Sequence, residues 1–88
     1  MSDIPASDEA RRKRILWRAT HRGIKEMDLI LGGFAGKRVA ALTAAELDRF
    51  EELLEVPDQQ FLAWMTGTET VPEADRCALL EEILNYRP

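Results

Sequence analysis

Apolar residues recur every three or four positions between Ile24 and Ala35, at Ile24, Met27, Ile30, Leu31, Phe34 and Ala35. That period fits one wide stripe of an α-helix and no strand. A central helix of this kind must be covered by other elements, and the flanking sequence supplies helices. Ala, Leu, Glu and Arg dominate, proline is scarce and glycine falls near boundaries. The expected fold is therefore all-α: a compact single-domain bundle of five short helices over residues 1–88, with residues 1–7 flexible.

The punctuation sets the other helices. Ser7 or Asp8 is a good N-cap for a first helix that ends near Thr20 and turns Ile15, Leu16 and Ala19 inward. Gly23 then opens the central helix. Thr43 and Glu46 have capping-box spacing and open a third helix carrying Leu47, Phe50 and Leu54, with Leu53 on its flank, which Pro57 stops. A fourth follows Pro57-Asp58, bears Phe61, Leu62, Trp64 and Met65, and has Gly67 as its C′ residue. Pro72 opens the fifth, with Cys77, Leu80, Ile83 and Leu84 facing inward. Phe50, Leu54, Phe61, Trp64 and Leu80 are expected to be buried together.

Size and composition limit the chemistry. A chain of 88 residues buries only about 60–65% of its unfolded surface, which leaves one modest core and no deep enclosed active site. One cysteine, Cys77, and one histidine, His21, make neither an internal disulfide nor a zinc set, and no local signature joins them as a nucleophile pair. Cys77 reads as a small core hydrophobe. The segment from Gly32 to Lys37 lacks the spacing of a phosphate-binding loop, and Glu51-Glu52 and Glu81-Glu82 read as solvated helix faces. No run approaches the roughly 20 apolar residues that span a bilayer. The acidic start, Met1 to Glu9, resembles neither a signal peptide nor an organellar presequence, so a cytoplasmic protein is expected.

Charge is divided along the chain. Residues 1–40 hold nine basic residues against five acidic ones, and residues 41–88 hold three against eleven, so a +4 half precedes a −8 half. A basic face that meets an anionic partner would fit that division. Trp17 stands among those cations about 200° around the helix from Ile15, off the inward face, and is equally readable as a binding anchor or as a residue packed under another helix. Arg22, just before a helix N-terminus, is electrostatically misplaced unless something outside wants it, whereas Glu26 at the third position after a Gly23 cap is well placed for the helix dipole. On the central helix Glu26, Leu29 and Gly33 project at about 200°, 140° and 180° from Ile24, forming a notch beside an exposed leucine. Either a partner approaches closely there, or Gly32-Gly33 marks a kink.

The run from Ile15 to Asp28, with Arg22-Gly23-Ile24-Lys25-Glu26 at its centre, resembles the Arg-Gly-x-x-Glu core of the succinate dehydrogenase assembly factors that promote covalent flavinylation. Pro57-Asp58 followed by Phe61-Leu62-Ala63-Trp64 matches that family's later acidic turn and aromatic segment, and the similarity spans roughly Arg11 to Tyr86. The resemblance implies a small five-helix assembly factor, not an enzyme, with no catalytic or metal site. It would bind the flavoprotein subunit of succinate dehydrogenase or fumarate reductase, without nucleic acid or membrane insertion, and be a monomer when free. FAD would belong to the client and become attached to a client histidine, with none held stably by the factor. By position, partner contacts fall to Arg22, Gly23 and Glu26, with Asp28, Trp17, Arg18 and His21 as neighbours. His21, where many members carry another basic residue, makes the charge of that rim depend on pH. A small helical nucleic-acid-binding regulator using the Arg11 to Arg22 stretch is the alternative, and a pI near 5.0 weighs against it.

Overall fold

Among the described residues five α-helices appear in the expected order: α1 (Ile4–Thr20), α2 (Lys25–Arg38), α3 (Ala44–Leu53), α4 (Asp58–Thr66) and α5 (Ala78–Asn85). Two short 3-10 turns, Val39–Ala41 and Glu73–Asp75, join α2 to α3 and α4 to α5. The computed structural model describes the backbone of residues 4–88 and the side chains from Asp8 onward. The expectation of a flexible segment over residues 1–7 lies, for those side chains and for the backbone of residues 1–3, outside what is described. No described helix is long and apolar enough to cross a membrane.

Local chemistry explains most boundaries. Thr43 and Glu46 form the expected capping box, each side chain bonding the other's backbone N–H at 2.9–3.1 Å. Gly67 adopts φ 79°, the left-handed conformation that closes α4. Three boundaries differ from expectation. Ser7 and Asp8 already lie within α1, which is described from Ile4, so neither is its N-cap; Pro5 is compatible with helix near a first turn, where its missing N–H costs nothing. Asp8 instead pairs with Arg12 across one turn at 2.8 Å. Gly23 is not the cap of α2; Ile24 takes that place in an extended conformation, so Glu26 is the second helical residue rather than the third. Pro72 opens only the 3-10 turn, and α5 starts later, where Cys77 caps it by accepting from the Leu80 N–H at 3.4 Å. Cys77 is half-buried and also accepts from Arg49 Nε, so it is a cap rather than a core residue.

α1 packs chiefly against α2 and also touches α3, while α5 touches α2, α3 and α4. One continuous core results. Ile15, Ala19, Met27, Leu31, Phe34, Leu47, Phe50, Phe61, Leu80 and Ile83 are among its buried members. Phe50, Leu54, Phe61, Trp64 and Leu80 are buried together as expected. Phe34 meets Phe50 and Tyr86 edge to face with centroids 5.9 and 6.0 Å apart.

The glycine pair in α2 neither breaks the helix nor leaves a notch for a partner. α2 runs unbroken through Gly32 and Gly33. A Cβ on Gly32 would stand 2.8 Å from Thr20 Cγ2, and one on Gly33 would stand 2.7 Å from the Tyr86 hydroxyl. The close approach inferred from those glycines is made by the chain itself, which lets the end of α1 and the C-terminal segment lie against α2.

Candidate functional site

The corner between α1 and α2, residues 21–24, faces the turn between α3 and α4 across an open groove of about 440 Å³. Trp17, Arg18, His21, Arg22 and Gly23 form one wall. Leu54 to Asp58 form the other. Five of the seven residues singled out in the sequence thus come together, whereas Glu26 and Asp28 lie outside the groove lining.

Arg22 has its partner inside the fold. Its Nε donates to Asp58 Oδ1 at 2.6 Å, Nη1 to the Leu54 carbonyl at 2.7 Å and Nη2 to the Val56 carbonyl at 2.7 Å. The two side chains of the ion pair are only 11% and 15% exposed. The guanidinium therefore sits at the carbonyl-rich end of α3, the favourable end for a cation, and Asp58 heads α4, the favourable end for an anion. An arginine that looked misplaced before α2 is well placed after α3. Residues more than thirty positions apart make this arrangement, so local pattern could not show it.

Two carboxylates hold the corner's backbone. Asp58 Oδ2 accepts from Gly23 N–H at 3.0 Å, and Asp28 Oδ1 accepts from Arg22 N–H. Half-buried Asp28 thus works within the chain by bracing the entry to α2. Gly23 itself is exposed, its φ is not positive, and a Cβ there would meet Asp58 Oδ2 at an ordinary 3.7 Å. The fold would admit a side chain at Gly23, which would project from the corner.

Trp17 is 60% exposed, so it is not packed under another helix. Its indole stacks on the His21 ring with centroids 4.1 Å apart and planes 13° from parallel. His21 Nδ1 lies 2.8 Å from the Trp17 carbonyl and 3.0 Å from Thr20 Oγ1, which fixes the ring. The pair forms a rigid aromatic projection on the groove wall, the type of surface that anchors protein contacts. Leu29, 54% exposed, is the other large apolar side chain left uncovered among the described residues. Glu26 is exposed and makes no hydrogen bond or ion pair with the described residues.

The divided charge is largely consumed within the chain. Arg11 bonds Asp48 and, at 2.9 Å, Glu51, and these hydrogen bonds, Glu51's first, raise its pKa above the ordinary arginine value. Arg18 meets Glu55 at 2.6 Å, and Arg12 meets Asp8 and the Val39 carbonyl. Arg11 packs on the acidic α3, Arg18 on the turn that follows it and Arg12 on Asp8 within α1, so these three cations find their partners inside the chain.

A family model described as the flavinator of succinate dehydrogenase matches residues 13–87. The chain belongs to that family. Among similar proteins is one named FAD assembly factor SdhE from Acetobacter pasteurianus, 37% identical over 75 residues that cover 85% of this chain and 69% of that protein. Two others are named succinate dehydrogenase assembly factor 2, mitochondrial. The one from Candida glabrata is 38% identical over 80% of this chain and 48% of its own length, and the one from Dictyostelium discoideum 32% identical over 89% and 55%. The chain spans about half the length of these mitochondrial relatives. All three are named as assembly factors, not as enzymes.

Glu55, Pro57 and Asp58 were missing from the site read in the sequence. The signal was present in the second matched segment, Pro57-Asp58, which reads locally as nothing more than a helix start.

Proposed function

We propose that this protein is an assembly factor that binds the flavoprotein subunit of succinate dehydrogenase, or of fumarate reductase, and promotes covalent attachment of FAD to it. One observation carries the reading: in a member of the flavinator family, the Arg22-Gly23 corner and the stacked Trp17 and His21 share one groove. Arg18 and His21 add polar character to the contact, and exposed Glu26 contributes a charge one helical turn beyond the corner. The factor works as a monomer in the cytoplasm and docks this corner on the client.

FAD is the substrate and stays with the client; the factor holds none stably. The attacking histidine is also the client's. What the factor supplies is selection of a flavoprotein conformation in which histidine and flavin are close enough to react, and positioning of this kind lowers a barrier without acid, base or metal from the factor. Nucleic acid is not among the proposed partners. Its support was the basic stretch of α1, and Arg11, Arg12 and Arg18 of that stretch are paired with Asp48, Glu51, Asp8 and Glu55.

The test is affinity capture of the tagged full chain from its native cytosol, with covalent flavin read by fluorescence in the captured subunit after denaturing electrophoresis. Recovery of a flavoprotein subunit, together with loss of its covalent flavin when the factor is deleted, is the expected result. Unchanged covalent flavin after deletion would refute the proposal.

A further inference from the structure

We infer that Asp58, which lies outside the Arg-Gly-x-x-Glu motif, is a positioning residue for the docking corner, and that Arg22 acts through it rather than by touching the client. The inference rests on the flavoprotein-binding reading above. Its basis is the division of labour at the groove. One carboxylate holds both Arg22 Nε, at 2.6 Å, and Gly23 N–H, at 3.0 Å. The remaining two arms of the guanidinium are committed to the Leu54 and Val56 carbonyls. Three donor directions meet three acceptors, and the pair is nearly covered, so little of the motif arginine is left for a partner.

What this network fixes is the separation of the two groove walls. Arg22 ties the end of α3 to the corner, and Asp58 ties the start of α4 to the same corner. Gly23 presents its backbone there, with room for a client surface to approach that a larger side chain would occupy. Lysine could not replace Arg22 in this role, because a point charge cannot fill three fixed directions at once. Asparagine could not replace Asp58, since its amide offers one acceptor oxygen where two are used.

The experiment compares the full-length wild type with Asp58→Asn and Arg22→Lys at a temperature well below melting, where circular dichroism shows each to be folded. Two readouts are taken: hydrogen exchange of the Gly23 amide without any partner, and affinity for the purified flavoprotein subunit. Asp58→Asn is expected to expose the Gly23 amide to fast exchange and to weaken binding by about tenfold or more. Arg22→Lys keeps the charges but loses the carbonyl bonds, and is expected to weaken binding comparably; it carries the comparison if Asp58→Asn does not fold. A merely structural role would lower the melting temperature and leave the affinity of the folded variants unchanged. Folded variants that bind within about twofold of wild type would overturn the inference while leaving the docking reading intact. A wild type that does not bind the flavoprotein would overturn both.

Discussion

The same substitution in the same helix should have opposite effects at Gly32 and Gly36. Both lie within α2, and neither has positive φ. Replacing a helical glycine by alanine gains about 0.5–1 kcal/mol from backbone entropy where the methyl has room. At Gly36 a Cβ meets nothing within 4 Å, so Gly36→Ala should keep that gain and raise the melting temperature by about 2–8 °C for a domain this size. At Gly32 the methyl would stand 2.8 Å from Thr20 Cγ2, and 3.4 and 3.5 Å from backbone atoms of Thr20 and Ala19. Thr20 cannot simply turn away, because its hydroxyl bonds the Leu16 and Trp17 carbonyls at 2.9 and 3.1 Å. The helices must then separate, an overpacking cost of about 1–3 kcal/mol that outweighs the propensity gain. Gly33→Ala should fall between the two, since its obstacle is the Tyr86 ring on the segment after α5. Thermal and urea unfolding of the three variants give the order Gly36→Ala, Gly33→Ala, Gly32→Ala. A Gly32→Ala protein melting above wild type would refute the close α1–α2 packing.

Trp64 is buried in the core and packs against Phe61 at a centroid distance of 5.6 Å. Trp64→Ala should cost about 3–5 kcal/mol and lower the melting temperature by roughly 12 °C or more, and an unchanged midpoint would place the ring elsewhere. Glu26 is exposed in the first turn of α2 without a capping bond, so Glu26→Gln should lose at most about 1 kcal/mol of dipole interaction. The same variant should bind the flavoprotein more weakly; wild-type affinity and wild-type flavinylation would remove its charge from the interface.

Some features made by neighbours in sequence were legible there, though the caps expected at Ser7 or Asp8, Gly23 and Pro72 were not the ones used. The Thr43–Glu46 box, the Gly67 stop and the apolar stripe of α2 each depend on residues within one or two turns, and each appears as expected. Features made by distant pairs were not. Gly32 and Gly33 announced a close approach, but only the fold shows that Thr20 and Tyr86 make it. Arg22 looked unsuited to its place because its acceptors, Leu54, Val56 and Asp58, lie more than thirty residues away. The sequence marked the corner; its internal bracing became visible only when α3 and α4 were set beside it. For Arg11 and Arg18 of the basic stretch, too, the partners Asp48, Glu51 and Glu55 stand on α3 and the turn after it, far away in the sequence.

Reconstitution shows whether the Gly23 corner docks on a flavoprotein and promotes flavin attachment. Purified apo flavoprotein subunit, FAD and an excess of either the wild-type chain or Gly23→Arg are incubated, and covalent flavin is followed by in-gel fluorescence. A Cβ at Gly23 fits the fold at 3.7 Å from Asp58 Oδ2, so the arginine variant should fold and melt near wild type, with its side chain projecting from the corner. Wild type is expected to accelerate covalent attachment, and folded Gly23→Arg to leave it near the factor-free rate. Equal acceleration by the two proteins would contradict docking through this corner.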